Sequence, residues 1–240
     1  ALRLPLVEPA PDQEGKLRLV LPGSSIAGAL RSRAELVCRT LRGTPTPDGF
    51  AEQLASTPLV QAVWGAAAGE PGATHSAVEV RDCPSTTTVS ATAYLTLLTG
   101  DQAPRSVAAS GGAQLRVTDH VSVDRWTGGA ADGRLFSEVE PHGVTYEPIR
   151  LRLRTDRLSP GVRDAATALL LVTLRELVEG RIPLGGATHR GYGTVAVDHI
   201  RITGGPEWSG PGLELLDPAF AAQRTAWRTW IDTEDPDGSR

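Results

Sequence analysis

Residues 16–42 read KLRLVLPGSSIAGALRSRAELVCRTLR, and the passage from strand to helix inside this stretch decides the fold class. Lys16–Leu21 is a short strand, and Pro22-Gly23-Ser24-Ser25 supplies a turn with a hydroxyl N-cap for a helix running to about Leu41. Ile26, Leu30, Ala34, Val37 and Leu41 recur at helical spacing and form its apolar stripe, while Arg31, Arg33, Arg39 and Arg42 lie mostly off it. Gly43 stops the helix, and 44–49 is a Pro-rich loop.

Working outward, a short helix ends at Trp64-Gly65, and Ala77–Arg81 alternates like a strand. Residues 84–114 are small, polar and without clear period apart from Tyr94–Leu98, so loop or irregular structure is expected there. Leu115–Asp124 and Leu135–Val139 read as the arms of an extended hairpin with Thr127–Gly133 as its tip. In Val144–Arg154, Ile149, Leu151 and Leu153 alternate with Arg150, Arg152 and Arg154, which predicts a strand with one basic face. Ser159-Pro160 opens a helix that Gly180 ends, Leu184–Gly193 is a Gly-rich loop, and Thr194–Ile202 is a strand. Residues 218–232 form a last helix bearing Phe220, Trp227 and Trp230, and 234–240 fray. The element order suits an α+β fold with a ferredoxin-like (RRM-like) core and long insertions.

A chain of 240 residues with 40% hydrophobic content can bury a full core. No apolar run reaches the ~18 residues of a membrane span, and the first residues carry neither the basic nor the apolar stretch of a signal peptide, so a cytoplasmic protein without a membrane partner is expected. Met is absent, position 1 included, which carries the expectation that the gene product starts upstream of Ala1. Cys38 and Cys83 show neither C-x-x-C spacing nor a histidine at zinc-ligand spacing, so reduced thiols in or near the core, no metal and no cofactor are expected. The net charge of −4 opposes nucleic-acid binding, but residues 203–240 account for all of it and the rest is neutral. Lys16 is the one lysine; the other basic residues are arginine, the better bidentate phosphate donor, though a GC-rich genome gives the same bias.

The glycines at 185, 186, 191 and 193 invite comparison with nucleotide fingerprints, which need a strand before the loop and a helix after it. Here the order is reversed and no GK[ST] follows, which excludes dinucleotide and Walker-type binding. The glycines either permit tight turning between helix and strand or bring main-chain N–H groups to a phosphate backbone, with His189 and Arg190 as donors and Tyr192 as a stacking face. Spacing leaves both open. Acyl transfer is excluded, since no G-x-S-x-G elbow is present.

Several segments together resemble the RAMP superfamily, and within it the backbone subunits of type III CRISPR effector complexes. Leu21–Arg31 (LPGSSIAGALR) resembles the family's I-P-G-S-S-L-K-G-x-x-R helix start, departing at Ala27. Val63-Trp64-Gly65 with Ser76 and Asp82 is similar to its L-F-G, S-R and D stretch, departing at Ala77. Val123–Gly128, Gly133–Glu138 and Pro141–Val144 resemble I-D-R-x-T-G, L-F-x-E and P-x-G-T, and Gly185–Gly193 resembles the superfamily's Gly-rich loop. The matches run in the family's order across about 3–202.

The resemblance implies a RAMP domain over 1–202, with an insertion at about 84–143 that includes a projecting thumb hairpin, and a helix-bearing extension over 203–240. It implies an antiviral-defence subunit stacked with other RAMP subunits in a filament along CRISPR RNA, with complementary target RNA as a further partner. Ser24, Ser25 and Arg31 of the first helix, Arg125 and Trp126 of the thumb, and His189, Arg190 and Tyr192 of the Gly-rich loop become the expected RNA contacts. Slicing relatives carry an acid in a D-x-P-I pattern, matched here by Arg3-Leu4-Pro5-Leu6. A guanidinium cannot take a proton or coordinate a metal as a carboxylate does, so Arg3 points to a non-cleaving scaffold that binds RNA at this position. The alternatives are target cleavage through another acid, for which Asp12 is the weak candidate, a CRISPR-RNA processing endoribonuclease using a histidine such as His189, or an interaction module that does not touch RNA.

Overall fold

In chain order the strands are β1 (Leu2–Arg3), β2 (Val7–Pro9), β3 (Lys16–Leu21), β4 (Val78–Val80), β5 (Cys83–Ser90), β6 (Ser106–Ala108), β7 (Gln114–Val123), β8 (Ala130–His142), β9 (Leu151–Leu153), β10 (Ile200–Ile202) and β11 (Trp208–Gly210). The helices are α1 (Gly23–Arg42), α2 (Pro58–Trp64), α3 (Ala91–Thr96), α4 (Arg163–Val178) and α5 (Ala221–Asp232). The computed structural model describes residues 2–49, 52–53, 56–66, 74–98 and 104–233. The α+β class expected from the sequence holds, and the chain divides into two compact units, Ala1–Pro22 with Asp82–Arg150, and Gly23–Arg81 with Leu151–Arg240.

In the first unit, β3 lies between β2 and β5, antiparallel to both, and a second sheet runs in the order β1-β8-β7-β6. Leu19, Val89, Tyr94, Leu97, Leu115 and Val139 form its buried core. The Tyr94 hydroxyl donates to the Pro5 carbonyl at 3.1 Å, which ties the segment after β1 to α3. β5 and α3 replace much of the irregular structure expected over 84–114. The stretch CPSTTTVS looks polar, yet β-branched threonines suit a pleated backbone and their hydroxyls find partners. Ser85 Oγ accepts from the Leu19 N–H at 3.0 Å, and Thr87 Oγ1 accepts from the Thr145 N–H at 3.0 Å. Each buried hydroxyl thereby avoids an uncompensated desolvation cost of about 1–3 kcal/mol.

In the second unit, α1, α2 and α4 pack mutually, and α5 lies on α4. The buried line of α1 is Ile26, Leu30, Ala34 and Cys38; it holds strict i, i+4 spacing, so Cys38 takes the place expected of Val37, and Leu41 is exposed. Burial pushes the Cys38 thiol up to about 12, against the pull of the Arg42 charge. Arg33 of α1 pairs with Glu176 of α4. Burial raises the Glu176 carboxyl, but hydrogen bonds and charge from Arg33 and Arg181 hold it below the ordinary carboxylate range. Phe220 is buried with Leu171 and Leu213, and Trp227 and Trp230 of α5 stack at 4.9 Å with the Arg42 guanidinium 4.1 Å over the Trp230 ring.

Four local expectations shift. The α1 helix begins at Gly23, which puts Ser24 and Ser25 inside its first turn rather than at the cap. The α4 helix begins at Arg163, after Val162 and with no side-chain cap, so Ser159 precedes it by a turn. Of Val144–Arg154 only Leu151–Leu153 is strand, with an isolated bridge at Tyr146, because β4 offers a partner ladder of that length. Of Thr194–Ile202 only Ile200–Ile202 is paired, and its partner is β11. No helix among the described residues is long and apolar enough to cross a membrane.

Candidate nucleic-acid interface

Gly23 explains why the start of α1 needs a glycine. A Cβ there would lie 2.8 Å from the Arg81 carbonyl carbon and closer still to the Val80 oxygen, so the helix start is seated on the end of β4. The seat leaves Ser24 and Ser25 exposed in the first turn of a 20-residue helix with no acidic residue in that turn. The positive end of the helix dipole favours an anion at such a place.

Arg31, one of the expected RNA contacts, is turned inward to a structural task. Its Nε donates to Glu35 Oε1 at 3.0 Å and its Nη1 to the Gly65 carbonyl at 3.1 Å, and Nη2 is buried without a partner among the described residues. Gly65 has φ 81° and its Cβ would lie 2.6 Å from the Thr74 oxygen. Ser76 Oγ lies 3.2 Å from the Val63 carbonyl and 2.7 Å from that of Val78, donating its one proton there. The P-G-S-S-x5-R and W-G…S patterns, separate in sequence, are thus one hydrogen-bonded assembly of backbone turns.

The Gly-rich loop splits in the same way. Its base is closed by the Leu184 N–H donating to the Gly193 carbonyl at 2.9 Å, and Gly193, at φ 84°, has no room for a Cβ beside Leu184. Gly185 and Gly191 need positive φ but face open space, and Gly186 has open space alone. Between them Thr188–Arg190 forms one 3-10 turn, with His189 and Arg190 exposed and Tyr192 half-buried.

The β7–β8 hairpin pairs from Gln114↔His142 to Val123↔Ala130, so its second arm is longer and its tip shorter than expected, and its first arm sits one residue earlier. At the tip, Asp124 Oδ1 accepts from the N–H groups of Thr127 at 2.8 Å and Trp126 at 2.9 Å and from Thr127 Oγ1 at 3.1 Å. These bonds hold the Asp124 carboxyl below its ordinary range and fix the turn. Arg125 and Trp126 are left facing solvent, and Trp126 is 96% exposed.

Arg3 lies in β1, parallel to β8 and in register with Glu138. Its Nη1 donates to Glu138 Oε1 at 3.0 Å and its guanidinium stands 5.2 Å from the Phe136 ring centroid. Its side chain stays 65% exposed, so the internal pair does not remove it from solvent. Asp12 is an exposed hairpin-turn residue at φ 57°, and no group of histidine, cysteine, aspartate or glutamate side chains among the described residues could hold a metal ion. On the basic strand face, Arg154 is neutralised. Arg154 pairs with Asp156 at 2.9 Å and Glu79 at 3.4 Å, and Arg152 lies in register with Glu79.

Sequence reading missed the side-chain cluster at the base of the hairpin, where His120, Phe136, Glu138 and Glu140 meet Arg3. The signal was the run of even positions in 134–142, which a period of two puts on one sheet face.

The RAMP superfamily model matches residues 6–196. No curated protein gives a significant match. Among solved structures, a chain of a type IV-B CRISPR complex is similar at 18% identity and TM-score 0.45, over 81% of this chain and 78% of that one. A chain of a CRISPR RNA-guided surveillance complex is similar at 14% identity and TM-score 0.45, over 91% of this chain and 66% of that one.

Proposed function

Because the chain belongs to the RAMP superfamily, we propose that it is a backbone-type subunit of a type III CRISPR effector complex that holds RNA without cutting it. The observation that carries this reading is Trp126, 96% exposed beside Arg125 on a turn fixed by Asp124. An indole left in water gives up about 1.5–3 kcal/mol of burial, and an aromatic face next to a guanidinium is the hardware on which unpaired bases stack. The open first turn of α1 adds a phosphate-binding end, and the exposed His189 and Arg190 add donors. CRISPR RNA, complementary target RNA and further superfamily subunits are the partners, and the cytoplasm is the compartment.

Absence of cutting is inferred from Arg3. Where slicing relatives carry an acid, this chain carries a guanidinium that is paired to Glu138 and cannot act as a base. Asp12 sits in a separate turn where a left-handed backbone, rather than catalysis, accounts for the residue type. Trp126→Ala tests the reading. Single-stranded RNA binding is expected to weaken by about 1–3 kcal/mol, with the unfolding midpoint unchanged. Equal affinity for the variant and the natural chain overturns it.

A further inference from the structure

The face of the β1-β8-β7 sheet at the base of the hairpin carries a row of charges of which the reading above uses only Arg3 and Glu138. From β8 come Arg134, Phe136, Glu138, Glu140 and His142, from β7 come Arg116 and His120, and from β1 comes Arg3. Glu138 is buried, with Arg3 3.0 Å from one carboxylate oxygen and His120 Nε2 3.5 Å from the other. The same His120 nitrogen lies 3.6 Å from Glu140, whose second oxygen is 3.3 Å from His142 Nε2. Arg116 is in register with Glu140, and the His120 ring stacks on Phe136 with centroids 5.3 Å apart. Arg105 and Asp119 pair with each other at 2.8 Å on the opposite face, where Asp119 also accepts from Ser137 at 2.7 Å.

We propose that this face is a second contact for the backbone of single-stranded RNA, and that its grip is set by the protonation of His120 and His142. With both imidazoles neutral, Glu138 draws on Arg3, and Glu140 faces Arg116 across the ladder. A proton on each imidazole satisfies the carboxylates from within the sheet and raises the charge of the face by two. Arg3, Arg116 and Arg134, all exposed, then offer their charge outward to phosphates. Imidazole is the side chain whose ordinary proton exchange falls between about pH 5 and 8.

This inference rests on the RNA-holding reading, and one set of titrations separates the two. The affinity of the full chain for a labelled single-stranded RNA is measured against salt concentration at about pH 8 and about pH 5.5. Each added phosphate contact changes the slope of log affinity against log salt by about 0.7, so the natural chain is expected to steepen by roughly 1.4 at the lower pH. His120→Gln/His142→Gln, which keeps His189, is expected to lose that difference. Arg116→Ala, an exposed change, is expected to flatten the slope by about 0.7 at the lower pH. Circular dichroism confirms that the variants fold. The same slope at both pH values, or a double variant that steepens like the natural chain, overturns the proposal and leaves the RNA reading standing as long as binding still depends on Trp126. No RNA binding at either pH overturns both.

Discussion

The start of α1 and the tip of the β7–β8 hairpin are both marked by short motifs with a glycine, and they use it oppositely. At Gly23 an added Cβ meets the backbone of Val80 and Arg81, whereas at Gly128, with φ 69°, it meets nothing within 4 Å. One glycine is required by a close approach, the other by a left-handed turn. In each motif the residues beside the glycine divide likewise, into those that fix backbone (Arg31, Asp124, Thr127) and those left facing solvent (Ser24, Ser25, Arg125, Trp126). A motif residue is therefore a candidate RNA contact only when the local turn does not consume its polar atoms.

The comparison breaks first at the glycines. Gly23→Ala is expected to cost about 2–4 kcal/mol in urea unfolding, because backbone must move to admit the methyl group. Gly128→Ala, with open space and only the left-handed conformation to penalise it, is expected to cost about 1–2 kcal/mol. Equal costs would mean that the start of α1 is not seated on β4. Arg31→Ala comes next, at about 1–3 kcal/mol of stability, since it unties α1 from the Gly65 carbonyl and removes the pair with Glu35 one turn along the same helix. Its salt dependence of RNA binding is expected to stay that of the natural chain, and a flattened slope would return Arg31 to the RNA contacts.

Ser24→Ala/Ser25→Ala should change stability by less than about 0.5 kcal/mol, as for exposed sites generally, and weaken RNA binding several-fold. The smallest effect is on the acid side. The Glu176 carboxyl lies below its ordinary range in the folded chain, so the stability it gives is present above the carboxyl's unfolded value near pH ~4.3 and is lost as pH falls through the lower folded value. Glu176→Gln is expected to shallow the loss of unfolding free energy below about pH 4.3 and to leave its pH dependence above that unchanged. A steeper acid loss in the variant would contradict the pairing with Arg33 and Arg181.

Much of this is legible in the sequence. Lys16–Leu21 and the helix after it, the long hairpin and the C-terminal aromatic helix follow from period and punctuation, which local backbone preference enforces. The threonine strand β5 was not legible, because its burial depends on hydroxyls finding partners on Leu19 and Thr145, far along the chain. The short pairing of Leu151–Leu153 depends likewise on the length of β4. At the site, residue types pointed to phosphate and base chemistry, but which arginines remain available did not. Arg31 and Arg154 are tied up by Gly65, Glu79 and Asp156, contacts set by tertiary geometry.

The central claim, that this chain holds RNA without cutting it, is tested most directly by binding the full chain to end-labelled single-stranded RNA with Mg2+ present and running the bound fraction on a denaturing gel. The account predicts full-length RNA from every bound fraction, with affinity that falls steeply as salt rises. Regularly spaced cleavage products, or RNA that does not bind at any salt concentration, would contradict it.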